Sequence, residues 1–415
     1  MSDAGPGIEP GIVIVGAGHA GGSAAAFLRQ YGWTGPITIV GEEPLAPYQR
    51  PPLSKAWLKG EADAESLALR PPSFYEEEKI ALRLSTRVEA VDRWNRQVVL
   101  AGGERLAYRK LILATGARAR KLLLPGADLE GVLELRTAAD AETLKKALGP
   151  GKRLAVIGGG YIGLEAAASA RALGADAIVV ERESRLLARV ACTALSEFFL
   201  SYHRGKGVSF ALSAQATHIA GRDGKVAAIH FQNGAPIACD AVLVGIGVIP
   251  RDDIARAAGL ECHDGVMVDL AARTSDPAVY AIGDCTRRPL PIYGQVGRLE
   301  SVPNALEQAK QAAADICGRE APQREVPWFW SDQYDIKMQI AGLPIGVEHT
   351  VIRGEPRFGR FAVFHLTEDG RVQCVEAVNS PAEFMGGRQL IASRKQVALD
   401  RLRDMSTPMK AVAGG

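Results

Sequence analysis

The chain has 415 residues, of which 47% are apolar and 23% charged, and its formal net charge at pH 7 is +2. This length allows two or three domains of roughly 150 residues, and the balanced charge argues against a nucleic-acid partner. Because no segment approaches the roughly 18 uninterrupted apolar residues of a membrane span and the start, MSDAGPGIEPG, lacks the basic and apolar regions of a signal peptide, we expect a cytoplasmic protein without a membrane partner.

The first predicted unit is a strand, a helix and a second strand near the start of the chain. GIVIVG (11–16) is followed by the helical AGGSAAAFLRQYG and by ITIVGEE (37–43). The turn after the first strand reads Gly-x-Gly-x-x-Gly, with Gly16, Gly18 and Gly21. Such glycines let the backbone bend, approach a pyrophosphate and pack a helix against a strand. The acid that would bind the ribose is Glu42 or Glu43.

The same pattern returns after the strand KLILATGA (110–117). RLAVIGGG (153–160) leads into the helix YIGLEAAASARALG and the strand DAIVVERE (176–183). Here the glycines are Gly158, Gly160 and Gly163, and Glu181 ends the second strand. Two copies, each in a strand–turn–helix context with an acid after the second strand, indicate two dinucleotide sites.

The charge of Glu181 bears on the choice between two nicotinamide cofactors. A carboxylate at this point accepts hydrogen bonds from an adenosine ribose and repels a 2′-phosphate, which favours NADH over NADPH. Arg182 and Arg185 lie nearby in the sequence and could soften that repulsion.

The pattern changes after a strand that ends on a glycine turn, AVLVGIGVIP (241–250). TSDPAVYAIGDC (274–285) predicts a strand and a Gly-Asp turn, and SVPNALEQAKQAAADICG (301–318) predicts an amphipathic helix. Short alternating strands and two or three helical turns then predict a smaller α+β domain. We expect the last ten residues to be frayed.

The cysteines and histidines are too widely scattered to predict a metal site. No two of the six cysteines are closer than 23 residues, and the seven histidines form no His-x-x-x-His pair. Spacings of this kind are not those of zinc or iron–sulfur motifs. We therefore expect reduced cysteines and no metal.

Seven stretches together resemble the two-dinucleotide-binding-domain flavoprotein family, and within it the NADH-dependent ferredoxin reductases of bacterial oxygenase systems. They are VIVGAGHAG, PYQRPPLSK (47–55), LILATGA, VIGGGYIGLE, VGIGVIP, YAIGDC and PWFWSDQ (327–333). The two glycine turns are typical of the whole superfamily, whereas RPPLSK and WSDQ narrow the resemblance to the ferredoxin reductases.

The resemblance implies an α/β fold with two Rossmann-like, glutathione-reductase-like domains and a C-terminal α+β domain. The implied FAD-binding domain is discontinuous, 1–117 and 248–325, and encloses an NAD-binding domain, 118–247. The C-terminal domain would be 326–415. FAD would be held by the first cradle, and NADH would bind transiently to the second.

The resemblance also assigns candidate residues to each cofactor. The candidates for FAD are Gly16, Gly18, His19, Ala20, Gly21, Glu42, Glu43, Arg50, Lys55, Ala114, Thr115, Gly116, Asp284, Val302 and Trp330. The candidates for NAD are Gly158, Gly160, Tyr161, Ile162, Gly163, Glu181 and Gly247.

Lys55, Glu165 and Trp330 are the catalytic candidates that the resemblance implies. A lysine like Lys55 stands beside the reactive flavin nitrogen, and a glutamate like Glu165 faces it across the nicotinamide pocket. We place Trp330 at the flavin and expect Trp328 to point to the opposite side, into the core. Relatives often carry an aromatic residue near Glu-x-x-Asn-Ala, where this chain has Val302 and Pro303.

The segment 42–58 contains no cysteine, whereas disulfide-reducing and peroxide-reducing relatives carry a redox cysteine there. Electrons are therefore expected to leave the flavin without a thiol relay. The implied cycle is hydride transfer from NADH to FAD, followed by two single-electron steps to a separate [2Fe–2S] ferredoxin that serves an oxygenase.

Other members of the superfamily remain as alternatives. These are a rubredoxin reductase, the flavoprotein half of a nitrite reductase, an NADH oxidase and an apoptosis-inducing-factor-like binding protein. We expect a monomer. As a docking surface for an acidic ferredoxin, we consider the clustered arginines Arg118, Arg120, Arg287 and Arg288.

Overall fold

The computed structural model describes residues 10–414, which form two compact units. The first unit contains the chain up to Gln49, Ala64–Arg118 and Ile249–Glu325. The second contains Arg50–Asp63, Ala119–Val248 and the chain from Val326 onward. The second unit therefore combines the segments expected to form the NAD-binding and C-terminal domains. The three-domain division itself stays a prediction.

Strands make up much of the described chain. In chain order they are β1 Gly11–Val15, β2 Ile37–Val40, β3 Ile80–Arg83, β4 Val88–Asp92, β5 Gln97–Leu100, β6 Arg105–Leu113, β7 Ala117–Ala119, β8 Val132–Leu133, β9 Arg153–Ile157, β10 Asp176–Val180, β11 Val208–Ala211, β12 Ala216–Arg222, β13 Lys225–Phe231, β14 Ile237–Ala238, β15 Ala241–Val244, β16 Val248–Pro250, β17 Val266–Met267, β18 Val279–Ala281, β19 Thr286–Leu290, β20 Gln295–Gly297, β21 Trp328–Gln333, β22 Ile336–Gly342, β23 His349–Glu355, β24 Arg360–Leu366 and β25 Val372–Val378.

The helices are α1 His19–Gln30, α2 Ala56–Lys59, α3 Ala64–Leu67, α4 Pro72–Glu77, α5 Ala138–Ala147, α6 Tyr161–Ala172, α7 Thr193–Gly205, α8 Asp253–Ala257, α9 Val302–Ile316, α10 Pro381–Ser393, α11 Leu399–Arg403 and α12 Met409–Gly414. Short 3-10 helices cover Pro51–Ser54, Gly283–Cys285, Pro291–Tyr293 and Pro356–Phe358.

A seven-stranded sheet organises the first unit. Its order is β3-β2-β1-β6-β5-β4, and β18 also pairs with the C-terminal end of β6. The strands β3, β2, β1, β6 and β18 run parallel, whereas β4 and β5 form an antiparallel hairpin on β6. All five residues of β1 are buried, as expected for the centre of a parallel sheet that is covered on both faces.

The second unit repeats the same parallel arrangement. Its five-stranded sheet has the order β11-β10-β9-β15-β8, so β10, β9 and β15 correspond to β2, β1 and β6. In both sheets an alanine-rich helix follows the central strand directly. This duplication confirms the predicted α/β class with two Rossmann-like halves.

The second unit also contains an antiparallel sheet near the end of the chain. Its order is β21-β22-β25-β24-β23, and α10 packs against it. β24 and β25 are buried at nearly every position. Gly387 allows the close approach of α10, because a Cβ atom there would lie 2.4 Å from a methyl group of Val375.

The end of the described chain contradicts the expectation of fraying. Residues Met409–Gly414 form α12, in which Met409 and Val412 are 4% exposed. A Cβ atom at Gly386 of α10 would lie 2.7 Å from the Cε methyl of Met409. Apolar residues near a terminus can hold it against the fold, whereas the expectation of fraying rested on the terminal position alone.

Candidate functional site

The first glycine turn has the close backbone packing that its sequence predicts. Gly16 adopts φ +121°, and a Cβ atom there would lie 2.1 Å from the carbonyl oxygen of Ala114. A Cβ atom at Gly21 would lie 2.0 Å from the carbonyl oxygen of Gly16. Gly18, by contrast, faces open space, with no heavy atom within 4 Å of a Cβ built on it. No side chain caps α1 at Gly18, so the helix N-terminus is open to an anion.

A buried imidazole nitrogen marks the same place. Nδ1 of His19 is buried and has no hydrogen-bond partner among the described residues. Burial lowers the pKa of His19, Arg70 lowers it further and Asp284 raises it, and the net lowering favours the neutral imidazole. A neutral imidazole with a free nitrogen can bind a ligand group without adding charge.

Asp284 lies in the 3-10 turn Gly283–Cys285, which is fastened to α9 by a glutamine. Gln308 is fully buried. Its Oε1 accepts hydrogen bonds from the Gly283 N–H at 2.8 Å and the Thr286 hydroxyl at 3.0 Å. Gln308 thus fixes the turn that presents Asp284. It was missed by the sequence reasoning, although it lies in the quoted helix segment.

The two acidic residues after β2 already have protein partners. Arg251 donates to both carboxylate oxygens of Glu42, at 2.9 and 3.0 Å, and this pairing lowers the pKa of Glu42. The Tyr48 hydroxyl donates to Glu43 at 2.5 Å. The choice between these two residues as ribose ligand therefore stays a prediction.

The remaining predicted FAD residues of the first unit lie around the ends of parallel strands and helices. Ala20 is in the first turn of α1, and Val302 is the first residue of α9. Ala114, Thr115 and Gly116 follow β6, where the Thr115 hydroxyl donates to the Arg251 carbonyl at 2.6 Å.

The second glycine turn repeats the geometry of the first. Gly158 has φ +109°, and a Cβ atom at Gly163 would lie 2.3 Å from the Gly158 carbonyl oxygen. Gly160 faces open space, and no side chain caps α6 there. Both turns therefore leave a helix N-terminus open where a pyrophosphate would sit.

The carboxylate of Glu181 lies beside this second turn. Its two oxygens accept the backbone N–H groups of Gly159 at 2.6 Å and Glu183 at 2.8 Å. Arg185 donates to the carbonyls of Ala188 and Ala191, so its charge is engaged elsewhere. Each carboxylate oxygen keeps a free lone pair that can accept a ribose hydroxyl.

The other predicted NAD residues lie near the start of α6 and after β15. The Tyr161 hydroxyl donates to the Val190 carbonyl at 2.9 Å, and its ring packs on Phe329 at 4.8 Å. The side chain of Ile162 is 47% exposed. Gly247 has φ +100°, which explains a glycine there.

Lys55 and Glu165 form an ion pair inside the second unit. Nζ of Lys55 lies 2.7 Å from Oε2 of Glu165, and the side chain of Glu165 is only 3% exposed. The Ser54 hydroxyl donates to the same oxygen at 2.5 Å, and the Ser331 hydroxyl donates to the other oxygen at 2.6 Å. The buried negative charge therefore has one cation and two further donors, which offset the cost of its burial.

Ser54 and Ser331 were missed as site residues, although PPLSK and WSDQ contain them. Gln333 was missed too, and it donates to the Ser331 hydroxyl oxygen at 3.1 Å. The sequence feature that could have indicated Ser54 and Ser331 is their position directly beside Lys55 and Trp330. It became informative only when folding brought three distant segments together around Glu165.

The expectation that Trp328 and Trp330 point to opposite sides is wrong. Both lie on β21, and their ring centroids are 5.6 Å apart. Residues two apart on a strand share a face. Trp328 also contacts the ring of Phe384 and the guanidinium of Arg388, and both tryptophans are half-buried.

Arg50, a predicted FAD residue that also lies in the second unit, donates to the Arg136 carbonyl.

The proposed arginine docking surface needs a correction at Arg288. Its side chain is 5% exposed and pairs with Glu307 at 3.0 Å, with Asn304 as a further acceptor. A buried, paired guanidinium cannot meet a partner protein. Arg118 is exposed but pairs with Asp253.

All six thiols are free, and burial raises the pKa of each of them. The pKa of Cys192 rises to about 12. Cys192, His365 and Glu376 come together in space, which the sequence spacing did not suggest. Glu376 accepts the Cys192 N–H at 3.0 Å, directly before α7, and its other neighbour is Nε2 of His365 at 3.6 Å, so its carboxylate lies close to the positive end of that helix.

The two cradles fit the cofactors that the sequence motifs suggest. Each has an open glycine and an uncapped helix of 12 residues, and the first also has the unpartnered Nδ1 of His19. These features provide space and donors for a pyrophosphate. No helix among residues 10–414 is long and apolar enough to cross a membrane.

Comparison with known proteins identifies the family. The pyridine nucleotide-disulphide oxidoreductase family matches residues 10–309, and the reductase C-terminal family matches residues 328–413. The chain is 48% identical over 403 residues to the probable ferredoxin reductase CtmF of Castellaniella defragrans, covering 97% of this chain and 98% of that protein. It is 43% identical over 399 residues to rhodocoxin reductase of Rhodococcus erythropolis, covering 96% of this chain and 93% of that protein.

A solved structure agrees along nearly the whole chain. The crystal structure of the covalent putidaredoxin reductase–putidaredoxin complex matches with a TM-score of 0.94 and 40% identity, covering 98% of this chain and 99% of that chain. The resemblance found in the sequence motifs is thereby confirmed. Family membership implies FAD and a nicotinamide dinucleotide as cofactors. The chain belongs to the pyridine nucleotide-disulphide oxidoreductase family, and within it to the ferredoxin reductases.

Proposed function

We propose that this protein is an NADH-dependent ferredoxin reductase that supplies electrons, through a [2Fe–2S] ferredoxin, to an oxygenase. FAD, when bound, supplies the step between a two-electron donor and a one-electron acceptor. The residues of the chain bind the two dinucleotides, orient them and stabilise charge near the reacting atoms.

The absence of a reactive thiol is the observation that carries this proposal. A redox-active cysteine is normally a thiolate with a lowered pKa. In this chain the pKa of all six thiols is raised by burial. The family name includes disulfide reduction, but all six cysteines of this chain are unpaired and none lies in the segment 42–58, where disulfide-reducing relatives carry their redox cysteine. An external one-electron acceptor fits that condition.

The first cradle is proposed to hold the FAD pyrophosphate at the N-terminus of α1, with His19 and Asp284 nearby. The second cradle is proposed to hold NADH at the N-terminus of α6. Glu181 disfavours a 2′-phosphate by its charge. Arg185 donates to carbonyl groups and Arg182 pairs with Glu183 at 3.2 Å, so neither guanidinium is bound to Glu181.

Lys55 and Glu165 are proposed to serve the hydride transfer. A lysine that keeps its charge beside the reacting atoms stabilises negative charge that develops there. Glu165 holds that lysine at 2.7 Å. The ion pair also keeps either charge from being buried alone.

The test is reduction of cytochrome c by the purified protein with NADH, with and without a [2Fe–2S] ferredoxin. We expect a rate that requires both NADH and ferredoxin. A rate that is independent of ferredoxin, with rapid oxygen consumption, would indicate an oxidase. A rate that requires rubredoxin in place of ferredoxin would indicate a rubredoxin reductase.

A further inference from the structure

A line of buried polar side chains leads away from Glu165 inside the second unit. Ser331 contacts Glu165 at 2.6 Å, and Gln333 contacts Ser331 at 3.1 Å. Nε2 of His203 lies 2.7 Å from Oε1 of Gln333. Ser331, Gln333 and His203 are at most 1% exposed. No part of the function proposed above uses Gln333 or His203.

The hydrogen bonds in this line have one consistent direction. The Gln333 amide uses its oxygen toward His203, so its nitrogen donates to Ser331. A serine hydroxyl has a single proton, and that proton is left to donate to Glu165. His203 must then carry its own proton on Nε2 in order to donate to Gln333. In each of the three hydrogen bonds the donor is therefore the residue farther from Glu165 and the acceptor is the residue nearer to it.

The reversed arrangement would be less stable. If the Gln333 amide turned over, its oxygen would accept the Ser331 proton and Glu165 would lose that donor. Its nitrogen would then require an unprotonated Nε2 on His203. The His203 proton would move to Nδ1, which is buried without a partner among the described residues. An anion that loses a donor and a buried N–H without an acceptor are both costly.

The line ends at His203 rather than in solvent. The imidazole is fully buried and is packed among the rings of Phe199, Phe210 and Tyr334. Because Nδ1 has no partner among the described residues, a proton that entered the line could not leave at this end. The line therefore holds groups in place and does not conduct protons.

We propose that His203 is a positioning residue for hydride transfer, which acts through Gln333 and Ser331 to fix the carboxylate of Glu165 and, through it, the ammonium group of Lys55. This inference rests on the proposed function of the Lys55–Glu165 pair. Hydrogen bonds in a chain polarise one another, so a change at His203 is expected to reach Glu165 across two intervening side chains.

The first test uses histidine resonances to detect the hydrogen bonds between His203 and Glu165 without turnover. In the FAD-bound protein with ¹⁵N-labelled histidine, the His203 resonances should show the Nε2–H tautomer and should be assigned by their loss in His203→Gln. Glu165→Gln should shift them, while the resonances of His263, whose side chain is 71% exposed, should stay in place. A Nδ1–H tautomer, or His203 resonances that do not respond to Glu165→Gln, would overturn the proposal.

The second test follows flavin reduction by NADH in a stopped-flow instrument. His203→Leu removes the donor, and we expect the limiting rate to fall several-fold while FAD content and the NADH concentration at half-saturation stay unchanged. His203→Gln keeps a donor near the position of Nε2 and should restore the rate to within about twofold. His263→Gln is the matched control and should have no effect.

A folded His203→Leu protein with an unchanged limiting rate would refute the role of His203. If His203→Leu fails to fold, the tautomer and the response to Glu165→Gln decide the question. If the unaltered protein is not reduced by NADH at all, the proposed function fails, and the resonance measurement still reports whether the line is coupled.

Discussion

The two glycine turns of this protein share a backbone and differ in their side chains. The N–H of Gly16 donates to Val40 at 2.8 Å, and the N–H of Gly158 donates to Val180 at the same distance. In both turns the middle glycine faces open space and the third packs against the carbonyl oxygen of the first. The shared geometry is what a pyrophosphate requires, so the backbone alone does not distinguish FAD from NADH.

The side chains at equivalent positions account for the difference. Seven residues after the first glycine, the first helix has Ser23 and the second has Glu165, and both positions are buried. Directly after the second strand, the first turn has Gly41 and the second has Glu181. The second copy thus has a buried ion pair at Glu165 and a carboxylate directly after its second strand, whereas the acids of the first copy, Glu42 and Glu43, come one and two residues later. Glu165 and Glu181 are therefore two positions at which the copies differ in charge.

The largest expected effect comes from alanine substitutions in the first glycine turn, which distinguish a glycine packed against protein from one that faces the ligand. Gly21→Ala would place a Cβ atom 2.0 Å from a backbone oxygen, so we expect the free energy of unfolding to fall by about 3 kcal/mol or more. Gly18→Ala meets no protein atom within 4 Å. It should leave apoprotein stability unchanged and weaken FAD binding.

Denaturant unfolding of the apoproteins and FAD titration by fluorescence measure these two quantities. Gly160→Ala in the second turn is the matched variant, and it should weaken NADH binding with FAD content unchanged. Equal stability of the Gly21→Ala and Gly18→Ala apoproteins would contradict the assignment of the two glycines.

The acid stability of the second unit should depend on His203. Burial lowers its pKa from an ordinary 6.5 to about 4. As the pH falls from 6.5 to 4, the imidazole therefore becomes protonated in the unfolded chain but stays neutral in the folded protein. The free energy of unfolding decreases in that window. The shift corresponds to about 3 kcal/mol.

The measurement is denaturant unfolding at pH 7 and pH 4.5, compared between the unaltered protein and His203→Gln. The difference between the two pH values should be smaller in the variant, because glutamine does not titrate. The same pH dependence in both proteins would show that His203 is not the group responsible. His263→Gln serves as the exposed control.

The sequence predicted the two cradles well because their signals are local. A buried strand such as GIVIV and a glycine turn that opens a helix are fixed by neighbours in the chain. The hairpin of β4 and β5 was not predicted, because β4, VEAVD, has few buried residues and includes exposed Glu89 and Ala90. Its pairing with β6 compensates for that weak local pattern.

The surroundings of Glu165 could not be predicted, because they come from segments that are far apart. Ser54, Glu165 and Ser331 are separated by more than 100 residues along the chain. No periodicity in a single sequence records that they meet. The burial of Arg288 is a similar case, since its partner Glu307 lies on another element. The glycine motifs predicted where the site lies, whereas the cation and the hydroxyl donors around Glu165 became apparent only in the folded structure.

Replacement of Glu165 tests the first of the two distinguishing positions. Glu165→Gln leaves Lys55 without its counter-ion, and we expect flavin reduction by NADH to slow by about 10- to 100-fold, which corresponds to about 1.4–2.7 kcal/mol. Electron transfer from flavin reduced chemically with dithionite to ferredoxin should change little. Glu61, which is 58% exposed and pairs with Lys59, provides the control Glu61→Gln. A slowing of both half-reactions would indicate a general structural defect instead.

Replacement of Glu181 tests the second position and should give the smallest effect. Glu181→Gln removes the charge that opposes a 2′-phosphate, so we expect kcat/KM for NADPH to rise and that for NADH to fall, each by about tenfold or less. The matched control is Glu183→Gln, because Glu183 lies in the same turn but pairs with Arg182 at 3.2 Å. Steady-state ferredoxin-dependent cytochrome c reduction with each nucleotide measures the ratio. An unchanged ratio in Glu181→Gln would mean that the nucleotide is selected by shape rather than by this charge.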